Sequence, residues 1–444
     1  MKTWLVALGS GLVLACQGTA LAQPVAADAP ELAARGPHAV GFRTIEMVNP
    51  AQPDLVAGGL TDRKLEVVLW YPAELKPDQA QAIEYVAATP FTPTIDPANL
   101  PPTISVAGQA SADAAPVTGQ GFPLVVISHG YQNWATMFSY LGEALASKGY
   151  VVAAIEHRDI VPNSPAALQV SFANTVINRV RDQRFVMARL QALAADQTAP
   201  LHNVYDPSRI ALVGYSMGGF GALTTAGAGY DPQSPVMAQM PPGVMAGALA
   251  RADAALPVNP ALKALVLFAP WGAQPPFNLW SDPELARIDT PTMIIGGDHD
   301  DISDYANGFA PLLQRLVAAP RYLLSYREAR HNVAVNPTPP ALTGYFQFIE
   351  RFDEPVWRKD RLLAINVHMI AAFLDLHVKG DDTKAAYLQV PTTNAGDGQW
   401  PLPQGAQVGD ALANGEGASA GYWRGFQRRW ALGVSLEYRS PQQD

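Results

Sequence analysis

Cysteine is almost absent from this chain: Cys16 is the only one. A disulfide framework within the chain is therefore excluded, and so is a thiolate-built metal or redox centre. Charge is scarce too, at 16% of residues, and it leans acidic, with a formal net charge of −9. That balance offers no polyanion-binding surface, so nucleic acid is not an expected partner. No Gly-x-Gly-x-x-Gly or P-loop pattern occurs, which removes the commonest nucleotide-binding signatures. No internal repeat of about 20–50 residues is visible, so neither a solenoid nor a propeller is expected.

What the chain does have is apolar bulk: 48% of its 444 residues are hydrophobic. That is ample for a large core and too much for a disordered protein. Without disulfides, the core must carry the stability. The length allows two or three domains, but α/β folds often run this long as one domain with insertions.

The first residues read as an export signal. Lys2 supplies a positive start, Trp4–Ala15 is an apolar run broken only by Gly and Ser, and Ala20-Leu21-Ala22 is a small-residue cleavage pattern before Gln23. The run is too short to span a bilayer comfortably, so no transmembrane segment is expected. Val13-Leu14-Ala15-Cys16 leaves a lipoprotein anchor on Cys16 open as the alternative. A cut after Ala22 would remove the only thiol and deliver a periplasmic or secreted protein.

Residues 1–22 are thus expected to be a signal peptide and 23–41, rich in Ala and Pro, a flexible lead-in. The catalytic domain is expected over 42–380, with 381–444 as an extension docked on it by its aromatics, Tyr422-Trp423-Arg424-Gly425-Phe426. Within the domain, short apolar runs alternate with helical patterns. The expected strands are Glu66–Tyr71, Pro123–Ser128, Tyr150–Glu156, Arg209–Gly214, Ala264–Phe268, Thr292–Ile295 and Arg321–Tyr326. The expected helices are Trp134–Ser147, Thr175–Ala195, Asp304–Ala318 and Trp357–Val378. Short runs bounded by Gly or Pro suit strands buried on both faces, and their alternation with helices argues for a mostly parallel sheet. Three stretches break the pattern. Ala88–Gly121 reads as a long surface loop, Gly227–Pro260 as a segment that could cover an active site, and Val333–Val356 as a third insertion.

One motif carries chemistry. Gly214-Tyr215-Ser216-Met217-Gly218 matches G-x-S-x-G, directly after an expected strand and before a small-residue run suited to a closely packed helix. This is the context of the nucleophile elbow of the α/β-hydrolase fold, and Ser216 is its serine. A serine hydroxyl needs a general base. In the Ser, acid, His order of that fold, His331 is the base expected just after strand Arg321–Tyr326. His368 and His377 lie inside an expected helix, His38 and His202 in loops outside the order, and His129 and His157 at strand ends, where they are expected to line the site. The acid is expected in Gly296-Gly297-Asp298-His299-Asp300-Asp301-Ile302, with Asp300 first, then Asp301 and Asp298. The adjacent Asp residues have too few further ligands nearby for a metal site, so no metal is expected there. The oxyanion donors are expected to be the backbone N–H of Met217 and that of Tyr131, the latter in Ser128-His129-Gly130-Tyr131-Gln132-Asn133. Trp134 and Trp271 are expected as apolar substrate-pocket walls, with Phe220 beside them.

Ser128-His129-Gly130, the run Leu145–Asp159 with its His157-Arg158-Asp159, and Ile210–Gly219 resemble the platelet-activating-factor acetylhydrolase family, whose exported bacterial members are often labelled dienelactone-hydrolase-like. Gly-x-Ser-Met-Gly, a Tyr after Gly and an acid in the loop of Asp300 are similar to polyester hydrolases of the cutinase type. The resemblance implies hydrolysis of short or modified acyl esters of a small-molecule or lipid substrate, without metal or cofactor; oligomeric state stays open. Lactone hydrolysis, amidase or peptidase activity, and a non-catalytic binding protein are the alternatives. The sequence departs from the animal acetylhydrolases at one point: their acid lies one strand earlier, and the matching Leu267-Phe268-Ala269-Pro270-Trp271 has no Asp or Glu. The first Asp beyond it, Asp282, stands too far along the loop.

Overall fold

A computed structural model describes residues 26–162, 165–251, 255–399, 422–427 and 429–442. The signal peptide expected over 1–22 lies outside the described residues. The fold is a single large sheet with helices on both faces, an α/β-hydrolase fold. Two long strands come first, β1 (Ala39–Pro53) and β2 (Leu60–Glu74), then a separate hairpin, β3 (Ile83–Ala88) and β4 (Thr103–Gly108). Two two-residue pieces, β5 (Ser111–Ala112) and β6 (Ala115–Pro116), edge the sheet. The remaining strands are β7 (Phe122–Ser128), β8 (Val151–Glu156), β9 (Tyr205–Tyr215), β10 (Leu262–Phe268), β11 (Thr292–Gly297), β12 (Arg321–Tyr326) and β13 (Val434–Arg439). The sheet order is β13-β12-β11-β10-β9-β7-β8-β2-β1-β5, with β6 on β2. From β8 to β12 the pairing is parallel. The pairs β13–β12, β8–β2 and β2–β1 are antiparallel, and the two-residue β5 lies parallel to β1 at the edge.

Double burial explains the strand composition. All seven residues of β7 are buried. Val125 and Ile127 face one core, with Leu141 and Leu145 of α1 (Ser139–Ser147). Leu124 and Val126 face the other, with Val176 and Val180 of α2 (Pro165–Ala195) and with α3 (Met217–Thr225). Such strands read as continuous apolar runs because neither face meets water. Two single-turn helices follow, α4 (Asp282–Leu285) and α5 (Leu312–Arg315), then α6 (Phe346–Phe352), α7 (Lys359–Leu374) and α8 (Ala385–Leu388). The stretch Lys359–Lys379 is long and apolar enough to cross a membrane, yet 78% of its most apolar window is buried inside the protein, as in a core helix.

The structure departs from the sequence reading in several places. Residues 26–41 are not a free lead-in: Ala33 is buried, Leu32 N–H donates to His368 Nδ1 at 3.0 Å, and β1 begins at Ala39. The expected loop Ala88–Gly121 holds β4, whose partner β3 ends at Ala88. The helix expected over Asp304–Ala318 is broken into a π turn, Tyr305–Phe309, and α5, because Pro311 between them has no N–H to continue the ladder. The described residues of Gly227–Pro260 make contacts on α2 and α3. The Val244 and Gly247 carbonyls accept from Arg181 and Arg184 of α2, and Tyr230 stacks on Phe220 of α3.

The tail enters the core. Tyr422, Trp423 and Phe426 are buried, and β13 pairs with β12 from Arg321↔Arg439 to Tyr326↔Val434. Trp423 is 1% exposed and its Nε1 donates to the Thr392 carbonyl at 2.9 Å. Trp423→Ala is therefore expected to cost about 3–5 kcal/mol in a denaturant melt. A loss under about 1 kcal/mol would mean that the tail is not part of the cooperative core.

Candidate active site

The parallel strands end at one edge of the sheet, and Ser216, Asp300, His331 and Tyr131 follow them there. β9 ends at Tyr215, and Ser216 turns the chain into α3 with φ 51° and ψ −113°. That left-handed backbone is costly for a residue with a side chain. Three hydrogen bonds hold it: Ser216 N–H to the Phe268 carbonyl at 2.9 Å, and the N–H groups of Phe220 and Trp271 to the Ser216 carbonyl at 2.9 and 3.2 Å. Close approach demands the flanking glycine Gly218, because a Cβ there would overlap the Ser128 carbonyl oxygen. Met217 opens α3, so its N–H belongs to the first helical turn, whose donors have no carbonyl within the helix.

His331 and Asp300 meet. His331 Nδ1 lies 2.7 Å from Asp300 Oδ2, and Asp300 Oδ1 accepts the N–H groups of Ile302 and Ser303, both at 2.9 Å. With Nδ1–H given to a carboxylate, Nε2 is the basic nitrogen. The imidazole rests against the ring of Tyr215, one residue before the serine, at 5.2 Å between centroids. The neighbouring acids are engaged elsewhere. Asp301 pairs with Arg330 at 3.0 Å, Asp298 accepts from Glu328 N–H at 2.6 Å, and Asp282 pairs with Arg315 at 2.6 Å. The insertion Val333–Val356 frames the His331 loop from behind. Glu354 accepts the N–H groups of Arg330 and Asn332, both at 2.6 Å, and buried Lys359 donates to the Asn332 carbonyl.

The loop after β7 reaches the serine. A Cβ on Gly130 would come within 3.3 Å of Ser216 Cβ, so the Gly130–Tyr131 peptide borders the nucleophile turn. Trp271 is held there through its backbone and belongs to an aromatic wall with Phe172 and Phe277, at 5.3 and 4.9 Å. Trp134 packs on Phe352 at 5.8 Å and lines a cavity of about 900 Å³ with Phe42, Tyr85, Gln132, Asn133 and Asp159. Ser216 does not line that cavity. Phe220 is not a pocket wall: it is fully buried and stacked on Tyr230 at 4.8 Å.

His129 and His157 were expected to line the site, and the structure puts them almost wholly inside the core. They belong to a polar layer that the sequence reading missed. His157 Nδ1 donates to Asp182 at 2.8 Å, its Nε2 lies 2.8 Å from Ser128 Oγ, and Arg63 closes on Asp182 with two 2.8 Å bonds. Ser128, His157 and Asp182 thus form a second Ser-His-Asp chain, but Ser128 and Asp182 are 0% exposed and beyond the reach of substrate. Asp159 binds Arg179 through two bonds, at 2.8 and 2.7 Å. Burial pushes the Asp159 carboxyl up, yet the Arg179 guanidinium outweighs it and holds it below the usual carboxylate range. Burial, aided by the charge of Arg179, drives His129 down to about 4, and it drives His157 well below its ordinary value. Among the described residues, no group of three or more His, Cys, Asp or Glu is placed to hold a metal ion.

Comparison with known proteins bears on the fold and on the class of reaction. Residues 102–192 match the family of platelet-activating factor acetylhydrolase, isoform II; the matched stretch holds β7, β8 and most of α2 and ends before Ser216. Cutinase est1 of Thermobifida alba is 27% identical, with 42% of this chain and 45% of that protein aligned. The platelet-activating factor acetylhydrolase of Cavia porcellus is 28% identical over 24% of this chain and 32% of its own length. That of Canis lupus familiaris is 55% identical over 42 residues, 10% of each chain. The chain is an α/β-hydrolase similar to the acetylhydrolases and cutinases. It spans less than half the length of each of these relatives.

The buried neutral histidines set a pH dependence of stability, and they outnumber Glu156, which burial raises to about 7 and which acts in the opposite direction. Burial lowers His129 to about 4 and His368 to about 3, against 6.5 for a free imidazole. Between those values the unfolded chain binds protons that the folded chain refuses, so the histidines' contribution to stability is full above about pH 6.5 and falls as pH drops toward 4. Urea melts should show a lower midpoint at pH 5 than at pH 7.5. An unchanged midpoint over that interval would contradict the neutral burial of these rings.

Proposed function

We propose that the chain is an exported serine carboxylic-ester hydrolase working through an acyl-enzyme. The observation that carries this reading is the 2.7 Å bond between His331 and Asp300 at the sheet edge where Ser216 takes its left-handed turn. Ser216 Oγ attacks the ester carbonyl while His331 Nε2 takes its proton. Asp300 holds the tautomer and stabilises the imidazolium. The N–H groups of Tyr131 and Met217 receive the oxyanion. His331 then protonates the leaving alcohol, and water, activated by the same base, releases the acid.

The similarity to acetylhydrolases favours short or modified acyl groups, which the aromatic wall of Trp271, Phe172 and Phe277 suits. The similarity to cutinases supports a second reading, a polyester hydrolase on the same residues. Export rests on the amino-terminal sequence pattern through Ala22.

Purified protein should turn over p-nitrophenyl acetate and be labelled once by a fluorophosphonate. Ser216→Ala should remove labelling and lower turnover by at least about 10³-fold. Ser128→Ala should keep the label, since that serine is sealed in the core. Labelling that survives Ser216→Ala would move the nucleophile elsewhere. Across p-nitrophenyl acetate to decanoate, a steep fall beyond butyrate supports the short-acyl reading, and a flat profile supports the polyester reading.

A further inference from the structure

Three charged side chains outside the proposed Ser-His-Asp set converge on the loop that supplies an oxyanion donor. The Gly130 carbonyl and the Tyr131 N–H belong to one peptide group. That carbonyl accepts from Arg179 Nη2 at 3.1 Å and from His129 Nδ1 at 2.7 Å. His129 Nε2 accepts the His157 N–H at 3.1 Å, so Nδ1 carries the proton and donates. The next peptide is held as well: Gln132 N–H donates to Asp159 Oδ2 at 3.0 Å, on the carboxylate that grips Arg179 with two bonds. Arg351 donates to the Gln132 carbonyl, and Gln132 Nε2 donates to the Ile160 carbonyl at 2.7 Å. All this closes around Gln132 at φ 55°, a left-handed conformation that persists only where the surroundings over-determine it.

We infer that Arg179 is a positioning residue of the oxyanion site, acting through the Gly130–Tyr131 peptide, with Asp159 fixing the guanidinium. The inference rests on the serine-hydrolase reading. Arg179 is 0% exposed and never meets substrate; its effect runs along the peptide bond. A cation on the carbonyl end does two things. It fixes the plane, and hence the direction in which Tyr131 N–H points. It also draws electrons toward the carbonyl oxygen, which makes the N–H at the other end a stronger donor, because hydrogen bonds in series polarise one another. The benefit appears where negative charge develops, in the tetrahedral state, and hardly at all in the bound ester.

The test compares wild type with Arg179→Lys, which keeps the charge but loses the two-bond fork. Loss of a whole oxyanion donor costs about 10²–10³-fold in kcat, so weakening one should lower kcat by about 10–100-fold with KM within about threefold. Rates are referred to sites titrated with fluorophosphonate. The affinity for butylboronic acid, which forms a tetrahedral adduct on the nucleophile, should fall by a similar factor. A merely structural role would lower the fraction of titratable sites and leave kcat per site and boronate affinity unchanged; that result overturns the inference. Asp159→Asn, which keeps an acceptor for Gln132 N–H but removes the countercharge, should shift kcat and boronate affinity in the same direction, and it decides the matter should Arg179→Lys not fold. An active wild type with both variants unaltered per site contradicts the positioning role alone. A wild type that neither hydrolyses ester nor takes the phosphonate contradicts the hydrolase reading as well.

Discussion

The left-handed turn at Ser216 is the constraint on which the rest of the site depends. Such a backbone costs on the order of 1–3 kcal/mol and relaxes unless its neighbours forbid it. Here the carbonyl of Phe268 at the end of β10 takes the serine's N–H, and the N–H of Trp271 returns to the serine's carbonyl. The loop after β10 is thereby tied to the nucleophile turn, and the tie continues outward. Ala269 N–H donates to the Ile295 carbonyl of β11, and Ser303, whose N–H binds Asp300, donates its hydroxyl to the Ala269 carbonyl at 2.9 Å. The serine and the acid that partners His331 are therefore coupled through backbone groups at the ends of β10 and β11 and through the Ser303 hydroxyl.

Under this edge lies a layer of buried polar groups between β7, β8 and α2. Gln183 donates to Ser128 Oγ and to the Gly218 carbonyl, both at 2.9 Å, so a single side chain of α2 joins the end of β7 to the first turn of α3. A layer of this kind is costly when partly satisfied and rigid when fully satisfied. The neutral histidines, the paired Asp159–Arg179 and the paired Asp182–Arg63 bring it close to the second condition. Rigidity is what an oxyanion site requires, because preorganised donors stabilise charge without reorganising as it forms.

Much of this was legible from residue order. The apolar runs marked the buried parallel strands because burial on both faces leaves no alternation to confuse them. Ser216 and His331 could be placed because G-x-S-x-G and a late His at a strand end are local signals. Asp300 could be ranked ahead of Asp301 and Asp298 only by its place in the loop, since the turn decides which carboxylate faces the imidazole and which meets Arg330 or Glu328. β13 was missed because just two of its residues, Val434 and Leu436, are buried and its partner is more than a hundred residues away. The polar layer was missed for a related reason. His157, Asp182 and Arg63 look like a strand end, a helix surface and an exposed strand until α2 is laid on the sheet. The helix pattern gave one hint: Arg179, Asp182 and Gln183 share the face that carries Val176, Val180 and Val186 into the core.

The most direct measurement of the account is a crystal structure of the protein after reaction with a small alkylphosphonate. The phosphorus should be bonded to Ser216 Oγ, with one phosphoryl oxygen about 2.7–3.1 Å from both the Tyr131 and Met217 nitrogens, and with His331 Nε2 facing the serine oxygen. An adduct on another serine, or a phosphoryl oxygen turned away from both nitrogens, would contradict the claim that the strained turn at Ser216 and the loop after β7 form one catalytic site.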